Sequence, residues 1–295
     1  MSSPATTSGR ATSPRLPPDT SIGRVRLRVA DLQRALGFYR EVLGLELRAE
    51  TGNTVALGPA GPGSRDLIVL EERPGIERRP QRPLTAGLYH VALLVPSRPE
   101  LGRTLLGLQA ARYPLRGMSD HAVSESLYLD DPDGNGFEIY ADRPRELWPV
   151  RDGVIQMTVE PMDVEGVMAA AREQPEPWPG LHPGTVVGHL HFTVSRMDPA
   201  VSFYRDVAGF DEMMRIPSLT AVSAGGYHHH INLNTWAGEG APGDSEKTAG
   251  LVSWELRVPG AEARGQLLQR LARASSLESD ETARGPEGSL IEVRA

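Results

Sequence analysis

Cysteine is absent from this 295-residue chain. Disulfides, zinc–thiolate centres and cysteine nucleophiles are thereby excluded, and any bound metal must be held by His, Asp or Glu. The sequence has no run of about 18 apolar residues, so no transmembrane helix and no membrane partner is expected. The N-terminus lacks the apolar core of a signal peptide, and a cytoplasmic location is the expectation. Excess positive charge is missing as well: the formal net charge is −7, which argues against nucleic acid as a partner. Self-association of the chain as a homo-oligomer is left open. What is present is the balance of a soluble globular protein, 39% apolar and 23% charged. At roughly 150 residues per domain the length suggests two domains. Residues 1–20, rich in Ser, Thr, Pro and Arg, are expected to be a disordered tail.

One stretch, His121 to Glu138, organises the chain. Asp131-Pro132-Asp133-Gly134-Asn135-Gly136 is a turn by composition, since proline presets φ and glycine permits positive φ. The flanking segments Glu125–Leu129 and Phe137–Ala141 therefore predict a hairpin. Glu138 lies between Phe137 and Ile139. A carboxylate in such a strand must be paired, protonated or bound to metal.

The chain also repeats itself. Arg24–Val29 alternates as a strand, Asp31 caps a helix ending at Gly44, and three strands follow. The same order returns after Val187, with Phe38-Tyr39 answered by Phe203-Tyr204 and Gly44-Leu45 by Gly209-Phe210. Two further copies begin at Gly87 and Gly250, with helices over about 98–111 and 260–274 and closing hairpins at Asp131–Ala141 and Gly285–Ala295. The fold expected is α+β: four βαβββ modules in two tandem halves, residues 21–142 and 187–295. A linker, 143–186, joins them and carries a short helix near Val164–Arg172.

Seven of the eight histidines fall on these strands or in the organising stretch; His182 is the exception. Strand alternation puts His189 and His191 on one face, and separates His229 from His228 and His230. A single histidine on a strand is more often a structural or surface residue than a chemical one. Two first-strand histidines with one last-strand glutamate, however, make a 2-His-1-carboxylate set. Such a set leaves positions open on Fe(II) for substrate and oxygen.

Four βαβββ modules in two pairs resemble the vicinal oxygen chelate superfamily, the glyoxalase/bleomycin resistance/extradiol dioxygenase fold. More closely, the chain is similar to the two-domain catechol-2,3-dioxygenase-like proteins of bacteria. The matching pieces include Gly87-Leu88-Tyr89-His90, Asp120-His121-Ala122-Val123-Ser124-Glu125 and Ser223 to His230. His121, Leu127-Tyr128, the Pro132 turn and Glu138 follow the fingerprint of extradiol ring-cleaving enzymes, Ser119 being a small departure. By this resemblance Glu138 and His90 are metal ligands, and Tyr128 and His121 line the substrate pocket. The third ligand should come from the first strand of a partner module. Module one offers Arg24 there and module three offers His189, so module two is inferred to pair with module three and His189 to complete the triad. The family's His-His pair before an apolar strand, laid on His229-His230-Ile231, assigns the acid/base role to His230.

The resemblance implies cleavage of a catechol or hydroquinone ring by O2, with Fe(II) or Mn(II) as cofactor. Module four has Ser253 where module two has His90, so one metal per chain is expected. Glu292, at the position of Glu138, is expected on the surface or in a salt bridge. Two other classes compete: a glyoxalase-type lyase, isomerase or thiol transferase on the same fold, and a metal-free small-molecule binding protein.

Overall fold

A computed structural model describes residues 14–80, 84–172 and 178–295. The expected α+β architecture of four βαβββ modules is present. Module one comprises β1 (Ser21–Val29), α1 (Leu32–Leu36), β2 (Leu45–Thr51), β3 (Thr54–Pro59) and β4 (Ile68–Glu72). Module two comprises β5 (Gly87–Leu94), α2 (Arg98–Ala110), β6 (Gly117–Asp120), β7 (Ser124–Asp130) and β8 (Gly136–Asp142). The linker supplies a small hairpin, β9 (Val150–Arg151) and β10 (Val154–Ile155), and α3 (Val164–Ala171). Module three comprises β11 (Val186–Thr193), α4 (Met197–Ser202), β12 (Asp211–Ile216), β13 (Leu219–Ser223) and β14 (Ile231–Asn234). Module four comprises β15 (Gly250–Arg257), α5 (Ala261–Arg273), β16 (Leu277–Ser279), β17 (Thr282–Arg284) and β18 (Leu290–Arg294).

The modules combine across the halves. One eight-stranded sheet runs β12-β13-β14-β11-β5-β8-β7-β6 and joins modules three and two. The other runs β16-β17-β18-β15-β1-β4-β3-β2 and joins modules four and one. At each centre the two first strands pair antiparallel, with His191 opposite His90 in one sheet and Arg26 opposite Ser253 in the other. Each first strand also runs parallel to the last strand of its own module.

Local chemistry sets the element ends. The Asp31 side chain accepts from the Arg34 amide and caps α1, which continues into a wide turn over Gly37–Val42. Gly44 follows at φ +67° and abuts Gly180 of the linker, so a side chain at either glycine would overlap the backbone of the other. Leu27, Leu43, Leu57, Ile68, Leu93, Ile139, Phe192 and Trp254 are among the side chains buried in the core. Among the described residues no helix is long and apolar enough to cross a membrane.

One expectation needs correcting. Residues 14–20 of the expected tail are fixed against module three. Leu16 is buried and donates its amide to Gly209 O at 2.9 Å, while the Arg15 guanidinium donates to the carbonyls of Arg205 and Phe210 at 3.1 and 2.8 Å. A polar composition does not preclude docking when one leucine finds a slot and one arginine caps a helix end. Residues 1–13 lie outside the described part.

Candidate metal centre

The organising stretch folds as the β7–β8 hairpin. Asp131 holds its turn: Oδ1 accepts the amides of Asp133 and Asn135 at 2.9 and 2.8 Å, and Oδ2 accepts from Asn135 Nδ2 and from the Tyr39 hydroxyl of module one, both at 2.9 Å. Burial pushes the Asp131 carboxyl up to about 6, against the pull of these donors. The rigid turn sets the register that places Tyr128 opposite Glu138.

Three strands bring three side chains to one point. His90 on β5 lies between Glu138 on β8 and His189 on β11. Glu138 Oε2 is 2.9 Å from His90 Nε2 and 3.2 Å from His189 Nε2, and all three residues are buried. The other oxygen, Oε1, accepts from the Ser126 hydroxyl at 2.6 Å, which leaves Oε2 for the histidines.

The electrostatics suit a cation. Burial raises the Glu138 carboxyl, but His189 and His90 outweigh it and hold the group well below the usual carboxylate range. Burial pushes His189 down to about 4, against the pull of Glu138. An ionised carboxylate and a neutral His189 imidazole are donors of the kind a divalent ion requires. Two donors about 2.1 Å from one ion and at right angles to each other are about 3 Å apart, as these are. His90 Nε2 has no aligned hydrogen-bond partner despite its short distance to Glu138, so it is aimed at a shared third point rather than at the oxygen. The residues therefore fit a divalent metal. Among the described residues this is the only cluster of His, Cys, Asp or Glu that could hold one.

The site opens into a cavity of about 520 Å3, within the usual range for small-molecule pockets. Tyr89, Tyr128, His121, His191, His229, Asn232 and Trp236 line it, and its apolar wall includes Met157, Val159, Met214, Ile216 and Leu219. His121 Nδ1 is 2.7 Å from Thr158 O, and Nε2 is 2.7 Å from the Tyr128 hydroxyl. A carbonyl can only accept, so Nδ1 carries hydrogen and donates to Thr158 O, and Nε2 is the ring atom that meets the Tyr128 hydroxyl. Burial first, then Glu138, raises the Tyr128 phenol above its ordinary value.

His90, Glu138 and His189 are thus brought together, with Tyr128 and His121 in the adjoining wall. His230 is not. Its Nδ1 is engaged by the Ser223 hydroxyl and the Ala224 amide at 2.8 and 3.2 Å, and its ring lies beside Tyr227 and Phe210, away from the cavity lining. Counting back in twos from Asn232, which faces the cavity, would bring His230 into it. The chain leaves strand geometry before Ile231, after the left-handed turn at Gly225-Gly226, and His229 takes that place instead. Burial pushes His230 down to about 3. His229 is also lowered, by burial first and then by His189 and His228. Sequence reasoning also missed Asn232, Trp236 and the linker residues Met157–Val159. For the last, the Asp120–Glu160 backbone pairing that clamps the linker to β6 leaves no local pattern.

Among the described residues the other sheet has no such centre. Arg24 stands in register with His189, Ser253 with His90 and Glu292 with Glu138. Arg24 bonds Glu255 at 2.8 Å, and Glu292 takes Arg294 at 2.6 Å and the Ser253 hydroxyl at 2.7 Å. Arg24 and Arg294 pair with carboxylates here, and Glu292 is salt-bridged.

Paired βαβββ modules with a His, Glu, His cluster where their first strands meet have counterparts among known proteins. Residues 21–139 match the Glyoxalase/Bleomycin resistance protein/Dioxygenase superfamily. The chain is 42% identical over 267 residues to catechol-2,3-dioxygenase of Bacillus subtilis (strain 168), covering 89% of this chain and 92% of that protein. The chain belongs to this superfamily. Two solved structures share the fold: a dioxygenase candidate from Bacillus subtilis subsp. subtilis str. 168 (TM-score 0.59, 15% identity, covering 95% of this chain and 85% of that one), and glyoxalase I from Zea mays (TM-score 0.53, 14% identity, 93% and 92%).

Proposed function

We propose that the chain is a ring-cleaving dioxygenase that opens a catechol- or hydroquinone-type aromatic with O2, using Fe(II) or Mn(II) held by His90, Glu138 and His189. The observation that carries this reading is the convergence of those three side chains, with His90 and Glu138 lining a largely apolar cavity that Tyr128, His121 and His229 also line. Bound there, the ion would supply coordination sites at which substrate oxygens and O2 meet and exchange charge. Everything else falls to the protein. The apolar wall excludes water and packs the ring. His229 presents a buried, unpartnered Nε2 to the cavity and is the group placed to take a phenolic proton and return it, the role the sequence pattern had given to His230. Tyr128, kept as a phenol by burial and Glu138, meets His121 Nε2 at 2.7 Å in the cavity wall, where it can hydrogen-bond a bound substrate.

Protein purified without oxygen should bind one Fe(II) or Mn(II) per chain; two tightly bound ions would overturn the one-site assignment. Glu138→Ala and His90→Ala should each abolish that binding, and Glu292→Ala should not. Iron-loaded protein given catechols and hydroquinones in air should consume oxygen and form yellow ring-opened products. Absence of uptake across a diverse diol panel would refute the dioxygenase reading and leave a lyase or isomerase on the same centre.

A further inference from the structure

We propose that Asp142 and His228 fix the tautomer of His229, placing its ring proton on Nδ1 and leaving Nε2 as a free lone pair in the metal-site cavity. What that lone pair is used for rests on the dioxygenase reading; where the proton sits does not.

The assignment follows from donors and acceptors taken in order. The Asp142 carboxylate, at the end of β8, can only accept. Its Oδ1 lies 2.9 Å from His228 Nε2, so Nε2 carries hydrogen and donates. Its Oδ2 accepts from the Tyr227 hydroxyl at 2.9 Å, and the Tyr227 oxygen lies 2.8 Å from the Tyr140 hydroxyl, which donates to it. Both oxygens of Asp142 are thus committed and the carboxylate cannot turn. A neutral His228 with hydrogen on Nε2 has a bare lone pair on Nδ1. That nitrogen lies 2.7 Å from Nδ1 of His229. Two nitrogens this close share one hydrogen; in the proposed arrangement His228 holds its single hydrogen toward Asp142 and His229 supplies the shared one, so a His228 found protonated on both nitrogens overturns the assignment. The remaining nitrogen of His229, Nε2, carries none, is buried, and has no hydrogen-bond partner.

Among the described residues the other neighbours of the His228 ring are aromatic. Its ring packs against Trp148, Tyr140 and Tyr227, and the Trp148 indole N–H is already given to Arg143 O at 2.9 Å. The His229 ring lies against His189 at 4.1 Å between centroids, which holds it at the metal point while the chain behind it sets its proton. Neutral imidazole in water favours hydrogen on Nε2, so the chain reverses the ordinary preference. Without it, His229 would offer an N–H to the cavity and could not act as a base. Asp142 and His228 touch neither substrate nor ion and act through His229: they are positioning residues. Asp142 sits at the rim of this network, from where its carboxylate governs a nitrogen two rings away.

The test reads protons directly. Full-length, metal-free protein labelled with 15N at histidine is examined at neutral pH by long-range 1H–15N correlation, with His228→Gln and His229→Gln assigning the two rings. Expected is an unprotonated Nε2 and protonated Nδ1 for His229, and the reverse for His228. A wild-type His229 protonated on Nε2 overturns the proposal, whatever the protein catalyses. Asp142→Ala should convert most His229 to the Nε2-protonated form and lower kcat at least tenfold with little change in KM; an unchanged tautomer in a folded Asp142→Ala protein would remove Asp142 from the chain. If the tautomer pattern is as expected but no diol drives oxygen uptake, the dioxygenase reading fails and the tautomer assignment stands.

Discussion

Ser126→Ala tests whether the carboxylate of the metal centre is aimed by a partner or finds its own place. The Ser126 hydroxyl donates to Glu138 Oε1 at 2.6 Å in a fully buried setting, and leaves Oε2 between His90 and His189. A hydrogen bond to a charged group contributes about 1.5–3 kcal/mol. Loss of a partner that orients a metal ligand typically lowers affinity about 10–100-fold, or roughly 1.4–2.7 kcal/mol. The two ranges overlap, as they should if the bond's main effect is to hold the ligand ready. The substitution deletes one oxygen and adds no bulk. Affinity would be measured by competition against a fluorescent chelator under anaerobic conditions, with Fe(II) or Mn(II). A second variant serves as the control: Ser253→Ala removes a hydroxyl that donates to Glu292, the counterpart of Glu138 in the other sheet, and should leave metal affinity unchanged. If Ser126→Ala binds metal as tightly as the parent protein, Glu138 is not positioned by Ser126. If both variants lose affinity alike, the effect is general destabilisation rather than ligand orientation.

Two other substitutions test the frame of the site. A side chain at Gly188 would overlap the Tyr140 hydroxyl and press on Leu94, so Gly188→Ala should cost about 1–3 kcal/mol of stability in urea unfolding and, being adjacent to His189, should weaken metal binding as well. Tyr39→Phe removes the hydroxyl that donates to Asp131 across two modules; a loss of about 1.5–3 kcal/mol is expected, and a loss under a few tenths would show that the hairpin turn does not depend on module one.

The periodicities were legible because they are set by local physics. Asp31 was recognisable as a cap, and Gly44 and Gly209 as helix ends, from their own chemistry. The pairing of modules two and three could be inferred from a missing histidine at Arg24, and β11 does lie against β5. His229 was not legible as the cavity-facing histidine, because alternation assumes an extended chain and the chain turns at Gly225-Gly226. Nor were Met157–Val159, whose place in the cavity depends on where the linker crosses β6, a tertiary fact with no signature of its own. Leu16 was misjudged for the same reason: its burial depends on a slot formed by residues far along the chain.

The cross-pairing of the modules has a consequence for how the molecule is made. β1 bonds to β15, a strand from the opposite end of the chain, whereas β5 and β11 are separated only by the rest of module two and the linker. During synthesis the sheet that carries His90, Glu138 and His189 has all its strands once β14 has emerged. The other must wait with β1 unpaired on one side until β15 arrives, an arrangement whose long-range closure is slow and whose open edge invites wrong partners. On the ribosome, the candidate metal site can therefore be complete while the sheet containing the first strand is still half built.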